Sequence, residues 1–398
     1  MKILLICNKS PYPPLEGGPI AMNMMIEGLL EAGHQVKVLA INTNKYFTDI
    51  ESIPEEYRLK TNIELHYTNL RLNPLVAIYC LIMRKSFHAY RFNSSSWLKP
   101  LEGILSNEQF DIVQIETLFM APALDVIKKK SRAKVILRAH NVEHLIWKRV
   151  CLSASNPVKR WYMTHLWKTL RDFEKEMLPR FDGLVPITCQ DADLFRENGI
   201  TIPIKAIPFG LPASKIASAV PPLPTVPIAF HIGSMDWIPN QEGIKWLIEE
   251  VWPLVKTRVP DAVLRLAGRN MPQWLKKTQN PGVEVLGEVP IAKEFILQGT
   301  VMVVPLFSGS GIRIKIIEAL ASGKAVITTS IGAEGIACQN GRDILLADDT
   351  NSMAEAIVTA LTNQELCEAL GENAIKLIRE QHTREELISQ LVQFYGQL

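Results

Sequence analysis

Short apolar runs, most of them rich in β-branched residues, alternate along the chain with longer segments of helical periodicity. This alternation is typical of parallel strands joined by crossover helices that cover both faces of a sheet. It predicts an α/β fold with two doubly wound parallel sheets, one in each half of the chain. The first predicted series of strands is Ile3–Cys7, Val36–Ile41, Ile63–Tyr67, Ile112–Ile115, Lys134–Arg138 and Leu184–Thr188. The second predicted series is Ile228–Ile232, Val263–Ala267, Val283–Leu286, Met302–Pro305, Ala325–Thr328 and Ile344–Leu346.

A proline-rich segment at 209–227 separates the two series. Its proline density favours an extended connector, because proline donates no hydrogen bond to a helix or a central strand. We therefore predict a first domain over residues 1–208 and a second over 228–382. A last helical segment, about 383–398, is compatible with packing on either domain, including a return to the first.

The composition narrows the class of protein. The chain has 398 residues, 43 Lys and Arg against 41 Asp and Glu, and 47 % apolar residues, which excludes a disordered chain and a small disulfide-stapled fold. We expect no nucleic-acid partner.

The six cysteines form no CxxC pair, which favours a reducing compartment. The amino-terminal apolar run is too short for a signal peptide, and the longest run, Leu75–Met83, is far below the ~20 residues that span a bilayer. We expect a cytoplasmic protein.

The segment from 303 to 323 has the pattern of a strand, a turn with two glycines and an amphipathic helix. Gly311 in the turn lets a ligand approach the backbone, and the helix amino terminus offers unpaired N–H groups. Arg313, expected one turn into the helix, and Lys315 add cations, so this segment predicts an anion site. Glu318 shares a helix face with Lys315. It forms either an ordinary ion pair with Lys315 or an acceptor for the hydroxyls of a ribose, and the second alternative indicates a nucleotide.

A second pair of glycines, Gly17 and Gly18, follows the first strand and precedes a predicted helix. Here too a diphosphate or an acceptor molecule could approach the backbone. The dinucleotide fingerprint G-x-G-x-x-G and the phosphate loop G-x-x-x-x-G-K-[ST] are both missing from the sequence. Their absence lowers the probability of hydride transfer and of nucleoside triphosphate hydrolysis.

Two short motifs have the spelling of metal sites. His140 to His144 spells H-x-x-E-H, but His140 stands where a strand ends, so the two histidines do not share one helix. Besides zinc binding, two roles remain for His140: it donates or accepts a hydrogen bond with a substrate hydroxyl, or it is structural. Asp191 and Asp193 spell D-x-D at a predicted helix start, where capping of the free N–H groups is the simpler role. We expect no metal and no other cofactor.

In their order and spacing, these motifs resemble the retaining, metal-independent glycosyltransferases of family 4. The resemblance spans most of the chain. It implies the GT-B fold, with two Rossmann-like domains facing across a cleft, the first binding the acceptor and the second a nucleoside diphosphate sugar. The segments that carry it are Gly17–Gly18, His140, 206–210, 230–233, 266–269, 286–289, 305–323 and 328–335.

The resemblance also assigns roles to individual residues. Glu318 matches the second carboxylate of the family's E-x7-E pattern and would bind the ribose hydroxyls, and His140 would contact the sugar near the reacting carbon. Arg313 and Lys315 would take the charge of the diphosphate. The implied catalytic residues are therefore His140, Arg313, Lys315 and Glu318. The implied donor-binding residues are Gly17, Gly18, Gly233, Gly268, Arg269, Val289, Ser310, Gly311 and Ile312.

Ser310 departs from the family pattern, because it stands at the first glutamate of E-x7-E. The function implied is transfer of a sugar to an acceptor hydroxyl with retention, in polysaccharide or glycoconjugate synthesis. In this reaction the leaving phosphate accepts the acceptor's proton. The alternatives are a nucleotide-sugar epimerase on the same scaffold and an inactive subunit that binds a sugar nucleotide.

Basic stretches bear on the acceptor, which is expected to be a glycan or a lipid-linked molecule. No acidic residue lies between Glu64 and Glu102, and Trp147–Arg149 and Lys159–Tyr162 combine basic with aromatic residues. Such stretches suit an anionic or lipid-linked acceptor and peripheral contact with a membrane. They also suit helices that bury their aromatic rings and solvate their charges, so membrane contact is left open.

Overall fold

The chain divides into two compact units. Unit 1 comprises Met1–Phe209 together with Glu385–Leu398, and unit 2 comprises Gly210–Arg384. Each unit contains one six-stranded sheet and one large cluster of buried apolar side chains. The computed structural model describes residues 1–152, 156–309 and 311–398, with the side chain at position 150 excepted.

All twelve predicted strands are confirmed, and their ends differ from the predicted ends by at most two residues. The strands of unit 1 are β1 Lys2–Cys7, β2 Gln35–Asn42, β3 Glu64–Tyr67, β4 Ile112–Ile115, β5 Lys134–Ala139 and β6 Gly183–Pro186. The strands of unit 2 are β7 Ile228–Ile232, β8 Val263–Ala267, β9 Val283–Gly287, β10 Val301–Val304, β11 Ala325–Thr328 and β12 Leu345–Leu346.

Both sheets are parallel and share one topology. The strand order is β3-β2-β1-β4-β5-β6 in unit 1 and β12-β11-β10-β7-β8-β9 in unit 2. In each unit the first strand therefore pairs with the second and the fourth, as in the registers of Ile3 with Val36 and with Ile112. The loops after these central strands diverge and leave a crevice at the carboxyl edge of the sheet, where open α/β sheets bind ligands. The doubly wound α/β fold is confirmed.

The central strands are unbroken apolar runs because helices cover both of their faces. Every residue of Ile3–Cys7 and of Val301–Val304 is fully buried. The helices of unit 1 are α1 Gly17–Glu31, α2 Glu55–Thr61, α3 Pro74–Ile82, α4 Phe87–Tyr90, α5 Ser95–Asn107, α6 Ala123–Lys130, α7 Glu143–Leu152, α8 Pro157–Met177 and α9 Cys189–Glu197. Those of unit 2 are α10 Ile238–Trp246, α11 Trp252–Arg258, α12 Gln273–Lys276, α13 Ala292–Leu297, α14 Ile314–Ala321, α15 Thr350–Thr362 and α16 Gln364–Gln381.

The last helix, α17 (Arg384–Gly396), leaves unit 2 and packs on unit 1 from Glu385 onward. Phe394 of this helix and Leu398 after it lie at the start of β6, where a Cβ added to Gly183 would be 3.1 Å from Phe394 and 2.9 Å from Leu398. Among the described residues, no helix combines the length and the apolar character needed to cross a membrane.

Candidate functional site

The turn after β10 lies at the central crevice of the unit 2 sheet. Gly309 and Gly311 have φ angles of 117° and 78°, which residues with a side chain rarely adopt. Ser310, predicted to bind the donor, lies outside the described residues. Helix α14 begins at Ile314, and Arg313 is its N-cap residue with φ −91° and ψ 90°. The prediction that Arg313 lies one turn into the helix is therefore wrong, because its backbone is still extended.

The guanidinium of Arg313 is held beside its own loop. Its Nη1 donates to the carbonyl of Gly311 at 2.8 Å, and its central carbon lies 5.4 Å from the ring centre of Trp237. Trp237 directly precedes α10, so this cation–π contact connects the loop after β7 with the loop after β10. Arg313 is only 6 % exposed. The geometry places this cation at the crevice, and its contact with a diphosphate stays a prediction.

The ammonium of Lys315 lies between the carboxyl end of β7 and the first turn of α10. Its Nζ donates to Oδ1 of Asn240 at 2.8 Å and to Nε2 of His231 at 3.1 Å. The ring of His231 donates from Nδ1 to the carbonyl of Val303 at 2.8 Å, which leaves the Nε2 lone pair for Lys315. Burial, and then the charge of Arg313, lower the pKa of Lys315 to about 7. The amine is therefore only about half charged at neutral pH.

Two glycines keep side chains away from the backbone beside Lys315. A Cβ added to Gly233 would lie 3.0 Å from Nζ of Lys315, and one added to Gly268 would lie 1.8 Å from the carbonyl oxygen of Gly233. Gly268 has a φ of 143° and donates to the carbonyl of Gly287 at 2.7 Å. The ends of β7, β8 and β9 are thereby packed backbone to backbone. A ligand bound at Lys315 would therefore face the backbone of Gly233 and not a side chain.

Glu318 lies on α14 one turn after Lys315 and is half-buried. Burial raises the pKa of Glu318, and Lys215, in the short turn Ala213–Lys215, opposes that rise. Among the described residues no ion pair joins Glu318 to Lys315, whose ammonium bonds to Asn240 and His231. The alternative of an ordinary helix ion pair is therefore wrong. Ribose binding by Glu318 stays a prediction.

The remaining predicted donor residues follow the neighbouring strands of the same sheet. Arg269 follows β8, and its carbonyl accepts from the backbone N–H of Met235 at 2.9 Å. Val289 follows β9, and Ile312 follows the turn after β10; both are half-buried. Parallel strands end at one edge, so these residues line the same edge as Gly233. The structure brings them together there, and what they bind stays a prediction.

In unit 1, His140 directly follows β5 and contacts a buried ion pair. Its Nε2 lies 3.0 Å from Oε2 of Glu116, which also accepts from Nη1 of Arg138 at 3.2 Å. Glu116 and Arg138 are fully buried. Burial lowers the pKa of His140, Arg138 and Lys9 add to this, and Glu116 opposes it. Burial alone would raise the pKa of Glu116, but Arg138 and His140 outweigh it and lower that pKa.

This ion pair belongs to a hydrogen-bonded network that reaches α17. Nε2 of Gln114 donates to Oε1 of Glu116 at 2.5 Å, and the hydroxyl of Tyr395 donates to Oε1 of Gln114. Glu116, Arg138, Gln114 and Tyr395 were not predicted as site residues. The sequence holds one signal for three of them: a glutamine, a glutamate and an arginine stand in or next to central strands whose other buried residues are apolar.

Gly17 and Gly18 begin α1, beside the loop after β1. A Cβ added to Gly18 would lie 3.2 Å from Cε of Lys9. The ammonium of Lys9 forms an ion pair with Glu16 at 2.8 Å and lies 4.4 Å from the ring centre of Tyr46. Because Lys9 also lowers the pKa of His140, the structure brings Gly18, Lys9 and His140 together at the central crevice of unit 1.

The two motifs spelled like metal sites serve other contacts. His144 pairs through Nδ1 with Glu174, whereas His140 contacts Glu116, so the two histidines of H-x-x-E-H have different carboxylate partners. The described residues contain no group of three or more His, Cys, Asp or Glu that could hold a metal ion.

Helix α9, at the D-x-D motif, is capped by Thr188. Its hydroxyl accepts from the backbone N–H of Asp191 at 2.9 Å, and Asp193 pairs with Arg196 at 2.7 Å. The N-cap residue is therefore Thr188 and not an aspartate, and Asp191 lies in the first turn of the helix. A threonine at the position before the helix reaches the N–H three residues on, which Asp191 occupies.

Comparison with known proteins agrees with this arrangement. Residues 226–363 match the model of a family described as glycosyl transferases group 1. A Klebsiella pneumoniae protein named "uncharacterized 44.6 kDa protein in cps region" is 23 % identical over 400 residues, covering 98 % of each chain. Sucrose-phosphate synthase of Thermosynechococcus elongatus has a TM-score of 0.71 at 17 % identity, covering 100 % of this chain and 99 % of its own. Anabaena HepE, solved with UDP-glucose, has a TM-score of 0.69 at 12 % identity and full coverage, 100 %, of both chains.

The structural likenesses show the fold, which is the GT-B fold with two doubly wound units in one chain, as the sequence resemblance predicted. The family match lies within unit 2. It contains Gly233, Lys315 and Glu318, together with the turn after β10. Over residues 226–363 the chain is therefore similar to the glycosyl transferases group 1 family.

Proposed function

We propose that this protein transfers a sugar from a nucleoside diphosphate donor to an acceptor hydroxyl with retention at the anomeric carbon. The observation that carries the proposal is the half-buried Lys315 beside Gly233 and the turn after β10. Burial and the charge of Arg313 lower its pKa to about 7, and none of the described acidic residues forms an ion pair with it. A diphosphate would supply an anion for it, and the solved HepE complex with UDP-glucose supports such a donor.

Catalysis in this proposal is electrostatic and uses no metal. Departure of the diphosphate builds negative charge on its oxygens. Arg313, Lys315 and the N–H groups at the start of α14 can stabilise that charge, an effect worth several kcal/mol in a site closed to water. Full activity in the presence of a chelator is the expected result. Strict dependence on a divalent cation would contradict this assignment of charge.

Retention in this proposal proceeds by attack on the face that the diphosphate leaves, with the leaving phosphate accepting the proton of the acceptor. The burial and hydrogen bonding of Glu116 support this route over a mechanism with a covalent glycosyl-enzyme intermediate. This carboxylate is fully buried and bonded to Arg138, His140 and Gln114, so it is badly placed as a nucleophile. We assign His140 the role of holding a hydroxyl of the transferred sugar.

We propose a cavity of about 670 Å³ in unit 1 as the acceptor site. Its lining combines cations with aromatic rings, including Lys9, Arg91 and Trp147, and the Trp147 ring lies 4.0 Å from that of His88. The lining also contains Glu143. Burial, with Glu174 adding to it, raises the pKa of this residue to about 8, which keeps it largely uncharged at neutral pH. Such a wall suits a glycan or lipid-linked acceptor that carries phosphate.

The setting we propose is polysaccharide or glycoconjugate synthesis in the cytoplasm. The relative named for a cps region supports a role in polysaccharide synthesis. The cysteines support a location in the cytoplasm, because all six are free thiols: Cys7, Cys80, Cys151, Cys189, Cys338 and Cys367.

The test uses the full-length protein and a panel of nucleoside diphosphate sugars that includes UDP-glucose. Thermal shift identifies the donor, and release of nucleoside diphosphate with an acceptor glycan shows transfer. The anomeric proton coupling of the product shows retention. Conversion of the sugar without release of diphosphate would identify an epimerase. Tight donor binding without transfer to any acceptor would identify a binding subunit, and inversion would contradict the proposed mechanism.

A further inference from the structure

Helix α3 exposes an apolar stripe on the surface of unit 1. Leu75, Ile78, Tyr79 and Ile82 are 76, 53, 40 and 72 % exposed. They stand at positions i, i+3, i+4 and i+7 of a nine-residue helix, so they share one face. The apolar surface continues past both helix ends. We call it the α3 surface, and it comprises Leu72, Leu75, Ile78, Tyr79, Ile82 and Met83.

The opposite face of α3 is already used for packing. Cys80 is buried against Phe87 and Leu166, and Val76 and Ala77 pack on the same cluster. This packing fixes how α3 lies on unit 1. The α3 surface is therefore not a face that could turn inward to join the core, and its exposure is a stable feature of the fold.

Cations lie at both ends of the α3 surface. Arg71 is exposed before the helix, and Arg84 and Lys85 are exposed after it. No acidic residue occurs in the sequence between Glu64 and Glu102. Arg84 and Lys85 also line a cavity of about 440 Å³, and its lining includes the acidic residues Asp125, Asp172 and Glu176.

The start of α8 extends this surface. Tyr162 and Met163 pack on the same cluster as the inner face of α3, which places the first turns of α8 beside it. Trp161 in these turns is 61 % exposed, as is the neighbouring Val158 at 74 %. Lys159 and Arg160, between them, are exposed cations. The expectation that these helices bury their aromatic rings therefore fails for Trp161.

We propose that the α3 surface binds an anionic phospholipid bilayer, with α3 parallel to the membrane plane and its apolar stripe below the headgroups. An apolar stripe with cations at its margins fits this environment, because acyl chains take the stripe and lipid phosphates take the cations. A second copy of the chain fits less well. A two-fold contact through the α3 surface would bring Arg71, Arg84 and Lys85 close to the same cations of the other copy.

The position of the α3 surface connects it with the proposed acceptor site. Arg71 and Leu72 line the 670 Å³ cavity described above, next to Lys9 and Trp147. A lipid-linked acceptor could thus reach the cavity from a bilayer held at α3. This last step rests on the proposed function, whereas binding of the bilayer does not.

The experiment is co-sedimentation of the full-length protein with vesicles, without nucleotide sugar. Vesicles of phosphatidylcholine with phosphatidylglycerol are compared with phosphatidylcholine alone, at low and high salt. Binding is expected only with the anionic lipid and is expected to weaken with salt. The double variant Ile78→Ser/Ile82→Ser should reduce the partition coefficient about tenfold or more. Arg84→Ala and Lys85→Ala should each reduce it about fivefold.

The control variant is Leu59→Ser, because Leu59 is an equally exposed apolar residue, at 70 %, on α2 of the same unit. It should bind vesicles as the unmodified protein does. Light scattering of the same samples reports self-association, and an unchanged thermal midpoint of the ligand-free variants shows that they are folded. Absent vesicle binding, or full binding by the double variant, would overturn the proposal. So would a dimer that the double variant converts to a monomer.

Discussion

Donor binding is expected to make the protein take up a proton, because a diphosphate next to Lys315 restores its charge. With a pKa of about 7, Lys315 is about 10 % protonated at pH 8 in the free protein. A diphosphate at hydrogen-bond distance raises that pKa back toward its ordinary value near 10.4. The expected uptake is then about 0.9 proton per donor at pH 8, about 0.5 at pH 7 and about 0.1 at pH 6.

The same linkage fixes how affinity changes with pH. A reaction that takes up one proton loses about tenfold in affinity for each pH unit, so the donor Kd should rise about tenfold from pH 8 to pH 9. Below pH 6 the Kd should be nearly constant. A nucleoside diphosphate sugar is the right probe because its two phosphates stay ionised over this range, whereas a free nucleoside diphosphate titrates near neutral pH.

Calorimetry measures the uptake directly. The observed binding enthalpy is plotted against the ionisation enthalpy of several buffers at each pH, and the slope gives the number of protons. Lys315→Arg keeps a cation that does not titrate in this range, so uptake should disappear while binding remains measurable. Lys245→Met removes an exposed lysine of α10 and should leave the uptake unchanged.

Stability provides an independent check of the same pKa. Lys315 binds a proton more weakly in the folded than in the unfolded state, so this group makes the free protein gain stability as pH rises from about 7 toward 10. Lys315→Met should therefore raise the thermal midpoint of the ligand-free protein at pH 7 and reduce its rise with pH. Proton uptake that persists in Lys315→Arg, or is independent of pH, would refute the reasoning.

Three further variants test the two sites. Arg313→Ala should lower kcat by about 10²-fold or more, the scale for loss of one charge-stabilising donor, and an unchanged kcat would remove Arg313 from the diphosphate. Glu318→Ala should mainly raise the donor Kd, by about tenfold for the loss of charged hydrogen bonds to a ribose, and calorimetry with an unaltered Kd would contradict the ribose contact. Glu116→Gln removes the group that opposes the lowered pKa of His140, so the His140 ring signal in NMR should titrate at lower pH, with the thermal midpoint reporting any loss of folding.

The fold was predictable because its signal is local. Strands covered by helices on both faces are short apolar runs, and runs such as Ile228–Ile232 and Val263–Ala267 coincide with the observed strands. The ends of the strands were predicted less accurately than their positions along the chain. The run near Leu184 begins at Gly183 and ends at Pro186, since the residues after it turn toward α9, whose N-cap is Thr188.

The candidate site was predictable only where its residues lie close in sequence. The glycines and cations from Gly309 to Lys315 form one segment, so they could be recognised together. The partners of Lys315, Asn240 and His231, are 75 and 84 residues away, and Tyr395 is 281 residues from Gln114. These contacts follow from which strands become neighbours in the sheet and from where α10 and α17 pack on it, and apolar periodicity does not encode that packing.

The buried cations of unit 2 bear on which ligands the site favours. Arg313 lowers the pKa of Lys315, so in the free protein the amine remains partly uncharged because of burial and this repulsion. A ligand that recovers the full charge must offset both effects, and it does so better with two linked phosphates than with one negative charge. The site is therefore expected to discriminate strongly against monoanions, and we attribute this expected preference to the spacing of one lysine and one arginine around a glycine turn.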